Sequence, residues 1–192
     1  MTAFFGIVFF LLLLIIIGRS IRLEPPEVVA GKQGEAVAAN AIASILRDDD
    51  RMFTNVEVSY GDMKTELDVV VVNKNGVFII EVKNYSGRLS GLESDYEWEK
   101  HHTSRGGNTY VKTVKNPIRQ VKRQVHILAE YLRSFGIQVW VEGYVFFLQT
   151  ESPVHSDLVL RDLNEIDLAL HSPQKQRLSE NTIYDIAEKL SD

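Results

Sequence analysis

The segment Glu66-Leu-Asp68-Val-Val-Val-Val72-Asn73-Lys-Asn-Gly76-Val77-Phe-Ile-Ile80-Glu81-Val-Lys83 decides how this chain folds. Two β-branched runs flank Asn73-Lys74-Asn75-Gly76, which carries the turn chemistry of a tight hairpin. The spacing predicts strands over 66–72 and 77–82. Both runs are apolar on both faces, so the hairpin belongs inside a sheet and not at a wet edge. Asp68, Glu81 and Lys83 interrupt this apolar pair. Residues i and i+2 of a strand share a face, so Glu81 and Lys83 point the same way, and the hairpin brings Asp68 near Glu81. Unpaired charge is costly to bury. Two readings of the trio stay open. It is either a buried carboxylate–lysine pair at a sheet end, or two carboxylates holding a hard cation, Mg²⁺ or Mn²⁺, beside a lysine that offsets phosphate charge.

Upstream, small and apolar residues from Ala36 to Ile45 predict a helix over 31–46, closed by Asp48, Asp49 and Asp50, and then a strand over 55–60. Downstream, residues 88–100 and 108–114 read as polar strands around Gly106-Gly107. Asn116-Pro117 then opens a helix, with Asn as cap and Pro at its first position. Ile118, Val121, Val125, Leu128, Leu132 and Phe135 recur in steps of three and four and mark its buried stripe. Gly136 ends it. A strand over 139–148 and a helix over 179–190 complete the order α-β-β-β-(β)-α-β-α, an α/β class with a mixed sheet flanked by helices.

The 192 residues contain no cysteine, which excludes disulfides and cysteine-ligated zinc and fits a reducing compartment. The formal net charge of −5 argues against bulk electrostatic coating of nucleic acid, yet the charge is uneven. From Lys100 to Ala129 there are seven cations and no acid, leaving the remainder at −12. That window is either a phosphate-tracking stripe or a solvated face.

At the N-terminus, residues 4–17 carry no polar side chain. As a helix, residues 3–18 would rise roughly 24 Å, against a hydrocarbon core of about 30 Å. No cation precedes the run, whereas Arg19 and Arg22 follow it. This predicts an uncleaved transmembrane helix over 3–18, a linker over 19–30 and a domain over 31–192. The domain is expected to face the cytoplasm from the cell membrane by the positive-inside bias.

Gly34-Glu35, Glu66-Leu67-Asp68, the stretch from Gly76 to Asn84, and Asn116-Pro117-Ile-Arg-Gln120 together resemble the nuclease-related domain (NERD) family, which is placed within the PD-(D/E)XK nucleases. The resemblance covers residues 31–148 and implies a restriction-endonuclease-like core. It also implies a catalytic set of Asp68, Glu81, Lys83, Glu35 and Gln120, with Asp68, Glu81 and Glu35 as metal ligands. Leu67 stands where the wider superfamily has proline. The expected activity is Mg²⁺-dependent hydrolysis of phosphodiester bonds in DNA. The alternative is a non-catalytic, membrane-tethered module that binds nucleic acid or protein. Arg105, Lys112, Lys115, Arg119, Lys122 and Arg123 are the expected nucleic-acid contacts. Trp98 and Tyr110 either stack on bases or cover a sheet, while His101, His102 and His126 read as surface histidines.

Overall fold

The computed structural model describes residues 25–104, 106–173 and 177–191. The apolar run at 4–17, Arg19, Arg22 and Arg105 lie outside them. The chain divides into two compact units, Met1–Lys32 and Gln33–Asp192. Among the described residues no helix is long and apolar enough to cross a membrane.

Helix α1 (Pro26–Ala43) starts earlier than its small-residue pattern predicts and stops three residues sooner. Proline suits a first helical position, so residues 26–30, expected to be a spacer, are helical. Strands β1 (Arg51–Tyr60), β2 (Met63–Asn73) and β3 (Gly76–Lys83) form an antiparallel meander, with Asn73 opposite Gly76 across the expected turn. Asn75 N–H donates to Asn73 Oδ1 at 2.8 Å and closes that turn locally. Helix α2 (Pro117–Ser134) crosses over to β7 (Val141–Phe147), which pairs parallel to β3, and β8 (Val159–Leu160) extends the sheet. Strand order is therefore β1-β2-β3-β7-β8, a mixed sheet in which the hairpin holds the expected interior position. Two further helices, α3 (Leu163–His171) and α4 (Glu180–Ser191), complete the layers.

Each face of the sheet carries its own core. Val70, Val72, Val77 and Ile79 pack with Ile118, Val121, Ile127, Leu128 and Leu132 of α2 and with Ile186 and Leu190 of α4. On the other face, Val69, Val71, Phe78, Ile80 and Val82 meet Ala38 and Ile42 of α1 and Ile166 and Leu170 of α3. The α2 stripe lies where its periodicity places it at Ile118, Val121, Leu128 and Leu132, with Val125 partly buried and Ile127 buried beside it. Phe135 is half exposed at the C-cap, and Gln124 is fully buried within the stripe.

The polar stretch after β3 departs from expectation. Residues 88–100 are broken in the middle, giving β4 (Arg88–Ser90) and β5 (Glu97–Thr103), and with β6 (Thr109–Lys115) these make a separate three-stranded sheet. The break is a turn over 91–96, where Leu92 N–H donates to Asp95 Oδ2 at 2.7 Å. β8 and α3 had no clear signature, since two residues cannot display a period and α3 follows a polar loop.

Regular alternation slips once along β1 and once along β2. Phe53 and Val56, three residues apart, pack against the same core, and so do Leu67 and Val70; in an unbroken strand such pairs face opposite ways. The slip falls at Asn55, with φ of 55°, and at Asp68 across from it, both skipped in the pairing between Thr54–Val69 and Val56–Leu67. Asn tolerates this left-handed geometry better than most residues.

Packing of α2 on the sheet rests on a glycine. A Cβ at Gly143 of β7 would stand 2.5 Å from Val125 Cγ2 and 2.8 Å from Val121 Cγ2, both on stiff β-branched side chains. Gly143→Ala is expected to lower stability by about 1–3 kcal/mol through overpacking, seen as a fall in denaturant midpoint at constant m. An unchanged midpoint would mean that α2 does not rest on this glycine.

Candidate active site

Pairing between β2 and β3 runs from Asn73–Gly76 to Val69–Ile80 and stops there. The next residues along the two strands are Asp68 and Glu81, so the carboxylates sit where the strands part. Asp68 Oδ2 accepts the Val82 N–H at 2.8 Å, just beyond the last paired residues of β2 and β3. Glu81 is buried, its side chain only 1% exposed, and Lys83 is nearly so. As the strand period predicts, the Lys83 ammonium bonds Glu81 Oε1.

Helix α2 supplies the remaining partners of Glu81. Gln120 Nε2 donates to Oε1 at 2.6 Å and Gln124 Nε2 to Oε2 at 2.6 Å. The two glutamines are one helical turn apart and present one face. Gln124 also donates to Glu66 O at 3.0 Å, and its Oε1 is a buried acceptor without a partner among the described residues. Sequence reasoning missed Gln124. Its signal was a polar residue three after Val121 and four before Leu128, on a stripe otherwise apolar.

The pair of carboxylates is electrostatically loaded. Burial, then the Glu81 charge, pushes the Asp68 carboxyl up to about 7, against the Val82 N–H and Lys83; Glu35 adds to the rise. Burial alone would lower the Lys83 ammonium, but Glu81 and its neighbours outweigh that and raise it, so it stays protonated. Burial likewise raises the nearby Tyr85 phenol.

Glu35 is half-buried on α1, at the position after Gly34, and acts on Asp68 through its charge. Gly34 permits that approach, because a Cβ there would lie 2.5 Å from Asn84 Cβ. Asp68, Glu81, Lys83 and Gln120 therefore converge, with Glu35 close enough to be felt. Among the described residues no three His, Cys, Asp or Glu side chains form a ready-made metal cluster. The donor set nevertheless fits a hard divalent cation. It offers oxygen ligands only, and its mutual repulsion is what a cation would relieve.

Of the expected nucleic-acid contacts, Lys112 and Lys115 are exposed on β6. Arg119, Lys122 and Arg123 each meet a partner. Arg119 Cζ lies 3.9 Å from the centroid of Tyr96, Lys122 pairs with Glu93 at 2.9 Å, and Arg123 donates to Lys64 O at 3.4 Å. Trp98 is not available for stacking: it is buried, its ring stacked on Phe147 with centroids 6.4 Å apart. Tyr110 packs against His102 at 5.0 Å and remains half exposed. His101 bonds Ser90 Oγ at 2.8 Å, and His126 is exposed.

The family model for the nuclease-related domain (NERD) matches residues 30–148. The uncharacterised protein pXO1-01 of Bacillus anthracis is 34% identical over 70 residues, covering 35% of this chain and 32% of that protein. This chain thus matches about a third of that relative's length. The crystal structure of AF1548, a protein of unknown function, aligns over 80% of this chain and 64% of its own, with 12% identity and a TM-score of 0.35.

The load on Asp68 has a consequence for stability. Its folded value of about 7 exceeds the ordinary 3.8, so the native state holds the proton more tightly than the unfolded chain. The stability this contributes is complete below about pH 4 and is lost as pH rises to about 7. In chelator, Asp68→Asn is therefore expected to be more stable than wild type at pH 8 by roughly 1–3 kcal/mol, the gap closing near pH 4. Equal or lower stability of the variant at pH 8 in thermal melts would refute the strained carboxylate.

Proposed function

Because this chain belongs to the nuclease-related domain (NERD) family, we propose that it is a membrane-anchored, metal-dependent nuclease that hydrolyses phosphodiester bonds in DNA. One observation carries the reading: two carboxylates and a protonated lysine meet where β2 and β3 part, with burial and mutual repulsion holding the Asp68 carboxyl near neutrality. A carboxylate displaced by burial together with a specific charged neighbour is a physical mark of a candidate functional site.

Asp68 and Glu81 would hold Mg²⁺ (or Mn²⁺), with Glu35 contributing directly or through water. When bound, the cation supplies Lewis-acid polarisation of a phosphoryl oxygen and a more acidic water. Gln120 and Gln124 fix the Glu81 carboxylate in one orientation, so its rotamer is set before substrate arrives. Lys83 stays charged and faces the developing negative charge on the phosphoryl oxygens, where a fixed cation in a partly dry site acts strongly. Lys112, Lys115 and Arg119 would supply phosphate contacts.

A second reading is a tethered module that binds nucleic acid without cutting it. It is favoured by the saturation of Glu81, whose two oxygens already accept from Lys83, Gln120 and Gln124.

The apolar run at 4–17 and the arginines at 19 and 22 support an anchor with the domain in the cytoplasm, where nucleic acid is at hand.

With plasmid and single-stranded DNA, the purified chain is expected to cut in Mg²⁺ or Mn²⁺ and not in EDTA. Glu81→Gln and Asp68→Asn should each lose at least about 100-fold in rate, and Lys83→Ala should lose cleavage while keeping or strengthening metal binding as a positive charge leaves. Metal-independent cutting, or full activity in either carboxylate variant, rules the mechanism out; tight DNA binding without cutting in any metal selects the second reading. For the anchor, a reporter that fluoresces only in the cytoplasm, fused after Asp192, is expected to light up in the membrane fraction. Activity of an export-only reporter at that position would reverse the orientation.

A further inference from the structure

The turn over 91–96 is tightly fixed and yet holds its largest side chain out in water. Asn116, itself buried as the cap of α2, donates from Nδ2 to Glu93 O at 2.9 Å and Asp95 O at 2.8 Å, while its backbone N–H donates to Tyr96 O at 3.1 Å. From the other side, Trp98 Nε1 donates to Leu92 O at 2.8 Å, and Gly91 lies so flat on the indole that a Cβ would come within 2.2 Å of it. The turn is therefore pinned to the start of α2 and to the core of the small sheet. On this rigid support Tyr96 is 78% exposed.

One face of the Tyr96 ring is taken by Arg119, with Cζ 3.9 Å from the centroid and Nη1 reaching toward Ser94 O at 3.5 Å. The guanidinium holds the ring by cation–π attraction and leaves the opposite face to solvent. Beside it lies an open recess of about 520 Å³ lined by Glu93, Ser94, Arg119 and Lys122, a size in the range of ligand sites. The Glu93 charge there is neutralised by Lys122 at 2.9 Å. Lys115 stands exposed just before Asn116, and Gln120, the next residue after Arg119, touches the Glu81 carboxylate.

We infer that Tyr96 and Arg119 form a preorganised stacking platform for one unpaired nucleobase of a strand whose phosphates run toward Glu81. This rests on the nucleic-acid reading above and narrows it to single strands and frayed or flapped ends. Three features select this occupant. A planar π surface backed by a cation suits any base, because every base has a π face. The rigid turn means that little ordering entropy is lost on binding. Lys112 and Lys115 stand exposed on β6, with Lys115 directly before Asn116, which suits a phosphate chain. A base within a duplex already stacks on both faces and cannot use the ring without being extruded.

The test measures fluorescence anisotropy of the full-length chain with labelled oligonucleotides in EDTA, so that nothing is cut. The probes are single-stranded DNA, single-stranded RNA, duplex DNA and a single strand of abasic spacers. Tyr96→Ala is expected to lower the ratio of single-strand to duplex affinity about tenfold, or ~1.4 kcal/mol, with Tyr96→Phe retaining it. Wild type should lose the same factor on the abasic strand, and the two single strands together report whether DNA or RNA is preferred. An unchanged ratio in Tyr96→Ala, or no loss on the abasic strand, overturns the platform, and melting curves of each variant check that the exposed substitution leaves the fold intact. Metal-dependent cleavage is scored separately: if it persists while the ratio stays flat, only the platform fails. If single-strand affinity depends on Tyr96 but no metal supports cutting, the platform stands and the nuclease reading fails.

Discussion

A glutamate held out of water organises this domain. An ionised carboxylate in a dry interior costs several kcal/mol unless its lone pairs are met and its charge is balanced. Glu81 satisfies both demands with three groups that come from different places. Lys83 arrives through the pleat of β3, two residues on. Gln120 and Gln124 arrive through one turn of α2, about forty residues away in sequence. Their position depends on where α2 lies, hence on the Asn116 cap that starts the helix and on Gly143, which lets the helix settle on β7. Displacing the helix strands the carboxylate, so packing and site chemistry are the same constraint.

Asp68 stands in a different situation. It accepts the Val82 N–H and faces Glu81 and Glu35 in a poorly solvated gap. The backbone makes room for it by giving up pairing at Asp68 and Asn55, at a conformation that few side chains tolerate. A chain optimised only for stability would close this gap with an apolar residue, as Leu67 and Val69 on either side show. A carboxylate kept in this poorly solvated gap lowers stability at neutral pH relative to acid.

The basic window illustrates a limit of counting charge along a chain. Seven cations without an acid between residues 100 and 129 suggest a bare stripe. In three dimensions Lys122 finds Glu93, Arg123 finds a carbonyl of β2, and Arg119 lies on Tyr96. Partners that neutralise a surface come from any part of the chain that folds back beside it. What remains of the stripe is accordingly less a field of free charge than a set of oriented donors, with Lys112 and Lys115 the more exposed members on β6.

The sequence by itself determined the hairpin, its interior position and the cluster of Asp68, Glu81 and Lys83, because period-two alternation and a tight Asn-Gly turn act within a few residues. It likewise determined α2 with its cap, its stripe and the presence of Gln120. Tertiary structure alone decided the rest. The break at 91–96 depends on Asn116, twenty residues later, and so does the exposure of Tyr96. The burial of Trp98 depends on Phe147 of a distant strand. Gln124 could not be recognised as a partner of Glu81 before the helix was laid on the sheet, since a polar residue on an apolar stripe is an error or a ligand according to what lies opposite. Local periodicity fixes which face of an element is inward; only the closed fold fixes what that face meets.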